Sequence, residues 1–212
     1  MASVQLYDTT LRDGAQREGI SFSVVDKLNI ACKLDELGVD YIEGGWPGSN
    51  PRDAEFFVKA KDLKRSHARI AVFGSTRRVG IKAKDDSNLR MLLNGGAEVA
   101  TIVGKSSAEQ VRQILGTTLE ENLAMIADSV KFLKANRMEV FLDAEHFFDG
   151  FKSNPDYSLE CLRVAAEAGA DCLVLCDTNG GALPEEITKA VKAAKRATSV
   201  CLGIHVHDDG GL

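Results

Sequence analysis

Seven times along the chain a short apolar run of strand length precedes a segment with helical spacing, at intervals of roughly 30 residues. The apolar runs are Val4 and Leu6, Val39–Ile42, Ile70–Phe73, Val99–Val103, Val140–Leu142, Cys172–Leu175 and Val200–Val206. Between them, Ser23–Leu37 carries Leu28, Ala31, Leu34 and Leu37 on one face and stops at Gly38. Thr118-Leu119-Glu120-Glu121 has the form of a capping box, and Pro184–Ala197 places Ile187, Ala190, Val191 and Ala194 together. The stretch through Asn154-Pro155 reads as a long loop. Strict alternation requires parallel strands joined by right-handed helical crossovers, which leaves an open doubly wound sheet or a (β/α)8 barrel. The first strand-to-helix turn lacks a GxGxxG pattern, which counts against a dinucleotide-binding sheet.

Where the polar residues fall favours the barrel. Asp8, Arg12 and Asp13 follow the first run, Glu43 the second, Ser75 the third and Lys105 the fourth. Asp143 and Glu145 follow the fifth, Asp177 and Thr178 the sixth, and His205 and His207 end the seventh. In a barrel all of these share the rim at the C-terminal ends of the strands, where such enzymes work. The expected fold is therefore α/β, a (β/α)8 TIM barrel truncated after its seventh strand. No linker or shift in composition marks a boundary, so residues 1–212 are expected to form a single catalytic domain. An open barrel would expose the flanks of its first and last strands, so the chain reads as a fragment of a longer enzyme that lacks the eighth strand.

Composition excludes several alternatives. The net charge is -5 with no block of like charges, which argues against a nucleic-acid surface. No apolar run approaches the roughly 20 residues of a membrane span, and no signal peptide precedes Val4. The 5 cysteines lie in apolar patterns and read as reduced core residues of a cytoplasmic protein. Cys172 and Cys176 lack histidine or cysteine neighbours at zinc-site spacing.

His205 and His207 lie two apart on one strand and so point to the same side, where both can bind one cation. Asp13, at the end of the strand that flanks the missing eighth, is the natural carboxylate to join them. Two histidines and one aspartate leave coordination positions open, as a catalytic site needs. Such a site accepts Zn, Mn, Mg or Co, and suits a substrate with adjacent carboxylate and ketone oxygens. Arg12 would stabilise charge growing on the ketone oxygen as a carbanion attacks, with Glu43 holding its guanidinium. Thr178 offers a hydroxyl to a substrate carboxylate. Asp143 and Glu145 are candidates for proton transfer or for tuning the site. Lys105 and the Arg77-Arg78 pair could meet phosphates, although solvated loop cations are the simpler account.

These residues resemble a known family. Asp8-Thr9-Thr10-Leu11-Arg12-Asp13-Gly14-Ala15-Gln16, Glu43 and the ending His205-Val206-His207-Asp208-Asp209-Gly210-Gly211-Leu212 are similar to motifs of the DRE-TIM metallolyases. That group includes isopropylmalate, homocitrate and citramalate synthases and hydroxymethylglutaryl-CoA lyase. Tyr41 to Pro51, Asp143 to Gly150 and Cys176 to Gly181 resemble the citramalate synthase branch in particular. The resemblance implies an acyltransferase of isoleucine biosynthesis that condenses acetyl-CoA with a 2-oxo acid, pyruvate, to (R)-citramalate. It implies Asp13, His205 and His207 as ligands of a divalent metal, Arg12 at the keto-acid oxygens, Glu43 as its support, and Thr178 and Glu145 near the substrate. It also implies a homodimer at full length, with C-terminal regions of the family that are absent from residues 1–212. Asp208 stands where the family usually has Asn. Alternatives within the group are an isopropylmalate or homocitrate synthase or a carbon–carbon lyase; outside it, an inactive metal-binding fragment.

Overall fold

The computed structural model describes residues 4–207 and 209–211; Asp208 and Leu212, both in the C-terminal motif noted above, lie outside the described residues. The chain forms two compact units. The first runs to Gly74 and takes in Ser87–Thr101; the second comprises Ser75–Asp86 and the chain from Ile102.

In the first unit, β1 (Tyr7–Asp8) pairs in parallel with β2 (Tyr41–Gly45), and β2 with β3 (Arg69–Ser75). The helices are α1 (Val24–Leu37), α2 (Pro51–Ala60) and α3 (Ser87–Asn94), and β4 (Val99–Lys105) begins here. Ser23 caps α1 by accepting from the Asp26 N–H, while the Asp26 carboxylate accepts from Ser23 in return. Gly38 ends the helix at φ 88°, a left-handed position that suits a residue without Cβ. Asn50 caps α2, with Pro51 in its first turn. Phe56 and Phe57 of α2 are buried against β2, and the ring of Phe56 lies so close to Gly44 that a Cβ there would sit 2.3 Å from Phe56 Cε1.

In the second unit, the end of β4 is followed by α4 (Leu119–Ala135), β5 (Glu139–Glu145), α5 (Phe147–Ser153), α6 (Pro155–Glu167), β6 (Cys172–Asp177), α7 (Pro184–Ala197) and β7 (Cys201–Val206). β5 pairs with β6 and β6 with β7, both parallel, with Cys176 opposite His205. Met125, Ile126, Val130 and Leu133 of α4 and Cys161, Leu162 and Ala165 of α6 fill the core over β5. Chain order and sheet order coincide from β1 to β7, the arrangement of a (β/α)8 barrel taken through its seventh strand.

Three local differences from expectation have physical causes. Strands β3 to β6 run two or three residues beyond their apolar runs, because a parallel ladder is made by backbone groups and does not stop where side chains become polar. Lys105, Asp143, Glu145 and Asp177 therefore sit in the last rungs of the sheet. The expected loop before Asn154 is the short helix α5, which Phe147 and Phe148 anchor in the core. Its brevity and the central Gly150 hide its periodicity. Cys201 is exposed, so it is not the core residue expected; Cys161, Cys172 and Cys176 are buried.

Candidate active site

In the first unit a tight turn after β1 presents Arg12 and Asp13. The Asp8 carboxylate accepts from the backbone N–H and hydroxyl of Thr10, both at 3.0 Å. The Thr9 carbonyl accepts from the N–H groups of Arg12 and Gly14, each at 3.1 Å. The turn thus uses its acid and its threonines to orient the two charged residues rather than to cap a long helix. Arg12 Nε donates to Glu43 Oε2 at 2.5 Å, and its guanidinium lies 3.9 Å from the centre of the Phe73 ring. Glu43 is wholly buried, and its other oxygen accepts from the Tyr7 hydroxyl at 2.9 Å. That hydroxyl is in turn 2.7 Å from Thr101 Oγ1. A bulge between Glu43 and Gly45 marks the point where β2 leaves the regular register. Arg12 Nη1 is 3.7 Å from Asp13 Oδ1. An ionised carboxylate with no exposure requires a cation and hydrogen bonds, and this one has both.

In the second unit the imidazoles of His205 and His207 stack with centroids 5.3 Å apart and planes 18° from parallel. Their shared side follows from the two-residue repeat of β7. The His207 N–H donates to the Asp177 carbonyl at 3.3 Å, which ties the end of β7 to the end of β6. Gly180, at φ 63°, lets the loop after β6 pass close by; a Cβ there would lie 2.8 Å from the His207 carbonyl oxygen. Asp143, Cys176 and His205 each place a donor atom within 4.8 Å of the others. Two imidazoles with a neighbouring buried carboxylate form a mixed nitrogen and oxygen donor set, which fits a divalent cation.

The remaining predicted residues of this unit are held by their backbones. Lys105 and Glu145 form an ion pair across the ends of β4 and β5. The Lys105 carbonyl accepts from Asn122 Nδ2 at 2.8 Å. The Glu145 carbonyl accepts from both the N–H and the hydroxyl of Ser106, at 3.1 and 2.7 Å. The Ser106 carbonyl accepts from Ser158 at 2.7 Å. Thr178 Oγ1 accepts from the His146 N–H at 2.9 Å, which leaves its own hydroxyl proton to be donated elsewhere.

Several neighbours of the candidate residues carry no mark in the sequence. Lys105, expected as a solvated loop cation, is a strand residue, its side chain 18% exposed and paired with Glu145. Cys176 is buried, as expected of a core residue, and lies beside Asp143 and His205 of the adjacent strands, a proximity that sequence spacing does not report. Tyr7, Phe73 and Thr101 support Glu43 and Arg12 without any motif to mark them. Arg77 does lie in the loop after β3 but is not solvated: it is buried between Glu121 and Asp128, at 2.7 and 2.9 Å. Glu121 raises the Arg77 pKa further, and Arg77 holds the Glu121 carboxyl below its usual range. Arg78 pairs with the fully buried Asp86 at 3.2 Å. Both arginines brace the loop after β3.

Among the described residues no helix is long and apolar enough to cross a membrane. A profile of the family described as HMGL-like matches residues 3–212. The chain is 54% identical over 209 residues to the (R)-citramalate synthase of Geobacter sulfurreducens, covering 99% of this chain and 40% of that protein. It is 54% identical over 210 residues to the (R)-citramalate synthase of Streptomyces coelicolor, covering 99% of this chain and 39% of that one. The chain thus spans about 40% of the length of these curated relatives. Among solved structures it resembles the hydroxymethylglutaryl-CoA lyase of Pseudomonas aeruginosa, with a TM-score of 0.79 at 20% identity, over 98% of this chain and 69% of that one.

Proposed function

The chain belongs to the HMGL-like family, and on that premise we propose that it carries the catalytic residues of an acyltransferase condensing acetyl-CoA with pyruvate. The products are (R)-citramalate and free CoA, and the enzyme works in the cytoplasm as a homodimer. Support for the substrate comes from the (R)-citramalate synthases that match nearly the whole chain at 54% identity. The single geometric observation that carries the reading is the Arg12 guanidinium pinned to the fully buried Glu43.

Asp13, His205 and His207 are the proposed ligands of a divalent cation, with Zn, Mn, Mg and Co all compatible with the donor set. When bound, the cation supplies Lewis-acid polarisation of the adjacent carboxylate and ketone oxygens of the 2-oxo acid. Arg12 meets the negative charge that develops on the ketone oxygen. Its rigidity matters here, because a donor already aimed at that oxygen needs no reorganisation during the reaction. Glu43, Tyr7 and Phe73 provide that rigidity. Thr178 donates its hydroxyl proton to the substrate carboxylate. Asp143 lies within reach of His205 and orients its ring, as an acid next to a ligating histidine does. The Lys105–Glu145 pair presents one fixed cation and one fixed anion beside the substrate.

The test is release of free thiol from acetyl-CoA by the intact protein. Release is expected when pyruvate is added, and loss of it in His207→Ala. Release with a longer or branched 2-oxo acid but not with pyruvate would overturn the substrate assignment. Thiol release that survives His207→Ala would overturn the ligand assignment.

A further inference from the structure

We propose that Asp143, Cys176 and His205 form a binding site for a soft divalent cation, zinc above all, in the second unit. The site goes beyond the function proposed above, whose cation ligands include no sulfur. All three residues belong to that one unit and to three adjacent strands, β5, β6 and β7. Asp143 lies opposite Val174, Val174 opposite Gly203, and Cys176 opposite His205. Residues two apart on a strand share a side, so Asp143, Cys176 and His205 all project from one face of the sheet. Val174, in the row of Asp143, packs on Gly203, where a Cβ would lie 3.2 Å from Val174 Cγ2. The glycine leaves that row without a side chain on β7.

The donor atoms converge. One carboxylate oxygen, the thiol sulfur and one imidazole nitrogen lie within 4.8 Å of one another. Around a tetrahedral zinc, with bonds of about 2.0–2.3 Å, donors stand about 3.3–3.8 Å apart, so shifts of about 1 Å bring all three onto one ion. Three protein donors leave a fourth position for water. Asp143 and Cys176 are buried, and a doubly positive ion held by one carboxylate and one thiolate is neutral as a whole. That balance lets the charges lie out of water. The Cys176 thiol donates to the Val174 carbonyl at 3.7 Å, a long contact. On binding, the ion takes the place of the thiol proton, which leaves to solvent. His205 is half-buried, and its side of the site is the way in.

Sulfur decides the occupant. A thiolate donor favours zinc, and cobalt as its spectroscopic stand-in, whereas magnesium and manganese prefer oxygen. His205 is common to this set and to the cation ligands proposed above. A neutral imidazole offers one lone pair, so an ion held by Asp143 and Cys176 takes His205 away from the other set. The two occupancies are therefore alternatives, a consequence that rests on the function proposed above although the site itself does not.

Titration of the intact protein with cobalt(II) tests this, because a thiolate ligand adds a charge-transfer band in the near ultraviolet that nitrogen and oxygen ligands do not. The band is expected in the unsubstituted protein and is expected to fade when zinc is added. It should vanish in Cys176→Ala and remain in Cys201→Ala, which removes an exposed thiol. Cys176→Ser, closer in volume, serves where circular dichroism shows Cys176→Ala unfolded. In His205→Gln, cobalt binding read from the band is expected to weaken about 10-fold or more. In His207→Ala the band should form at no higher cobalt concentration, since the competing set has lost a ligand. Absence of the band in the unsubstituted protein, its survival without Cys176, its loss in Cys201→Ala or unchanged binding in His205→Gln overturns the site. A need for more cobalt in His207→Ala overturns the exclusion between the two occupancies. The readout requires no turnover, so protein that condenses no 2-oxo acid would sink the function proposed above and leave this test intact.

Discussion

Replacing Arg12 by Met should destabilise the first unit more than any packing loss explains, because it strands a carboxylate that has no exposure. Glu43 is 0% exposed and holds Arg12 Nε at 2.5 Å. Breaking a buried ion pair from one side costs about 3–5 kcal/mol. The Tyr7 hydroxyl at 2.9 Å remains to meet the charge, which brings the expected loss to about 3 kcal/mol, near the lower end. Glu43→Leu leaves a guanidinium that is 13% exposed and still has Asp13 3.7 Å away, so water and a second acid soften the damage to about 2 kcal/mol. The double variant strands neither charge. It loses mainly shape and the stacking of Arg12 on Phe73, and should cost about 2 kcal/mol in all. The singles sum to about 5 kcal/mol, so the coupling is about 3 kcal/mol. Trp46, the 1 tryptophan of the chain, packs edge-on against Phe73 with centroids 5.6 Å apart and reports this unit by fluorescence. Urea unfolding followed at Trp46, with unchanged slope, gives the three differences directly. Additivity within about 0.5 kcal/mol would refute the claim that Glu43 is kept for Arg12.

Two further substitutions probe what supports the site. Asp35 of α1 accepts from the N–H groups of Ser66, His67 and Ala68 at 2.8, 2.9 and 2.6 Å. These bonds, that from Ser66 foremost, hold its carboxyl well below the usual range. A depressed folded value stabilises above the unfolded value near 4 and is lost as pH falls through the folded one. Asp35→Asn should therefore cost about 1–3 kcal/mol at neutral pH, and urea titrations should show the difference shrinking only in acid; a difference that grows there would refute it. Gly150→Ala should destabilise by about 1–3 kcal/mol although Ala is the better helix former, since the new Cβ would meet the Ser106 carbonyl oxygen at 2.6 Å. A higher melting temperature in that variant would show that the clamp under Lys105 and Glu145 is looser than the geometry implies.

What could be read from the chain divides along a physical line. Alternation of apolar runs and helical faces is a backbone-scale pattern, so the strands, their parallel sense and the barrel order were legible, and so was the cap at Thr118, whose side chain acts within four residues. The candidates Arg12, Glu43, Glu145 and Thr178 were visible as polar residues ending apolar runs, since a parallel sheet places every such end at one face. Illegible were the relations that cross strands. Lys105 with Glu145 and Cys176 with His205 are neighbours only through register, and register is decided by the whole sheet rather than by any local stretch. The bend at His146, where φ is 55°, was hidden for a further reason: its conformation is imposed by Ser106, Thr178 and Gly150, three residues whose own sequence surroundings give no sign of it. The residues that bear charge at the strand ends could thus be nominated one at a time, whereas the pairs that set their orientation had to be seen. Orientation is what separates a rim of polar side chains from a catalytic one, and in this chain it is set by pairs that cross strands, Lys105 with Glu145 among them.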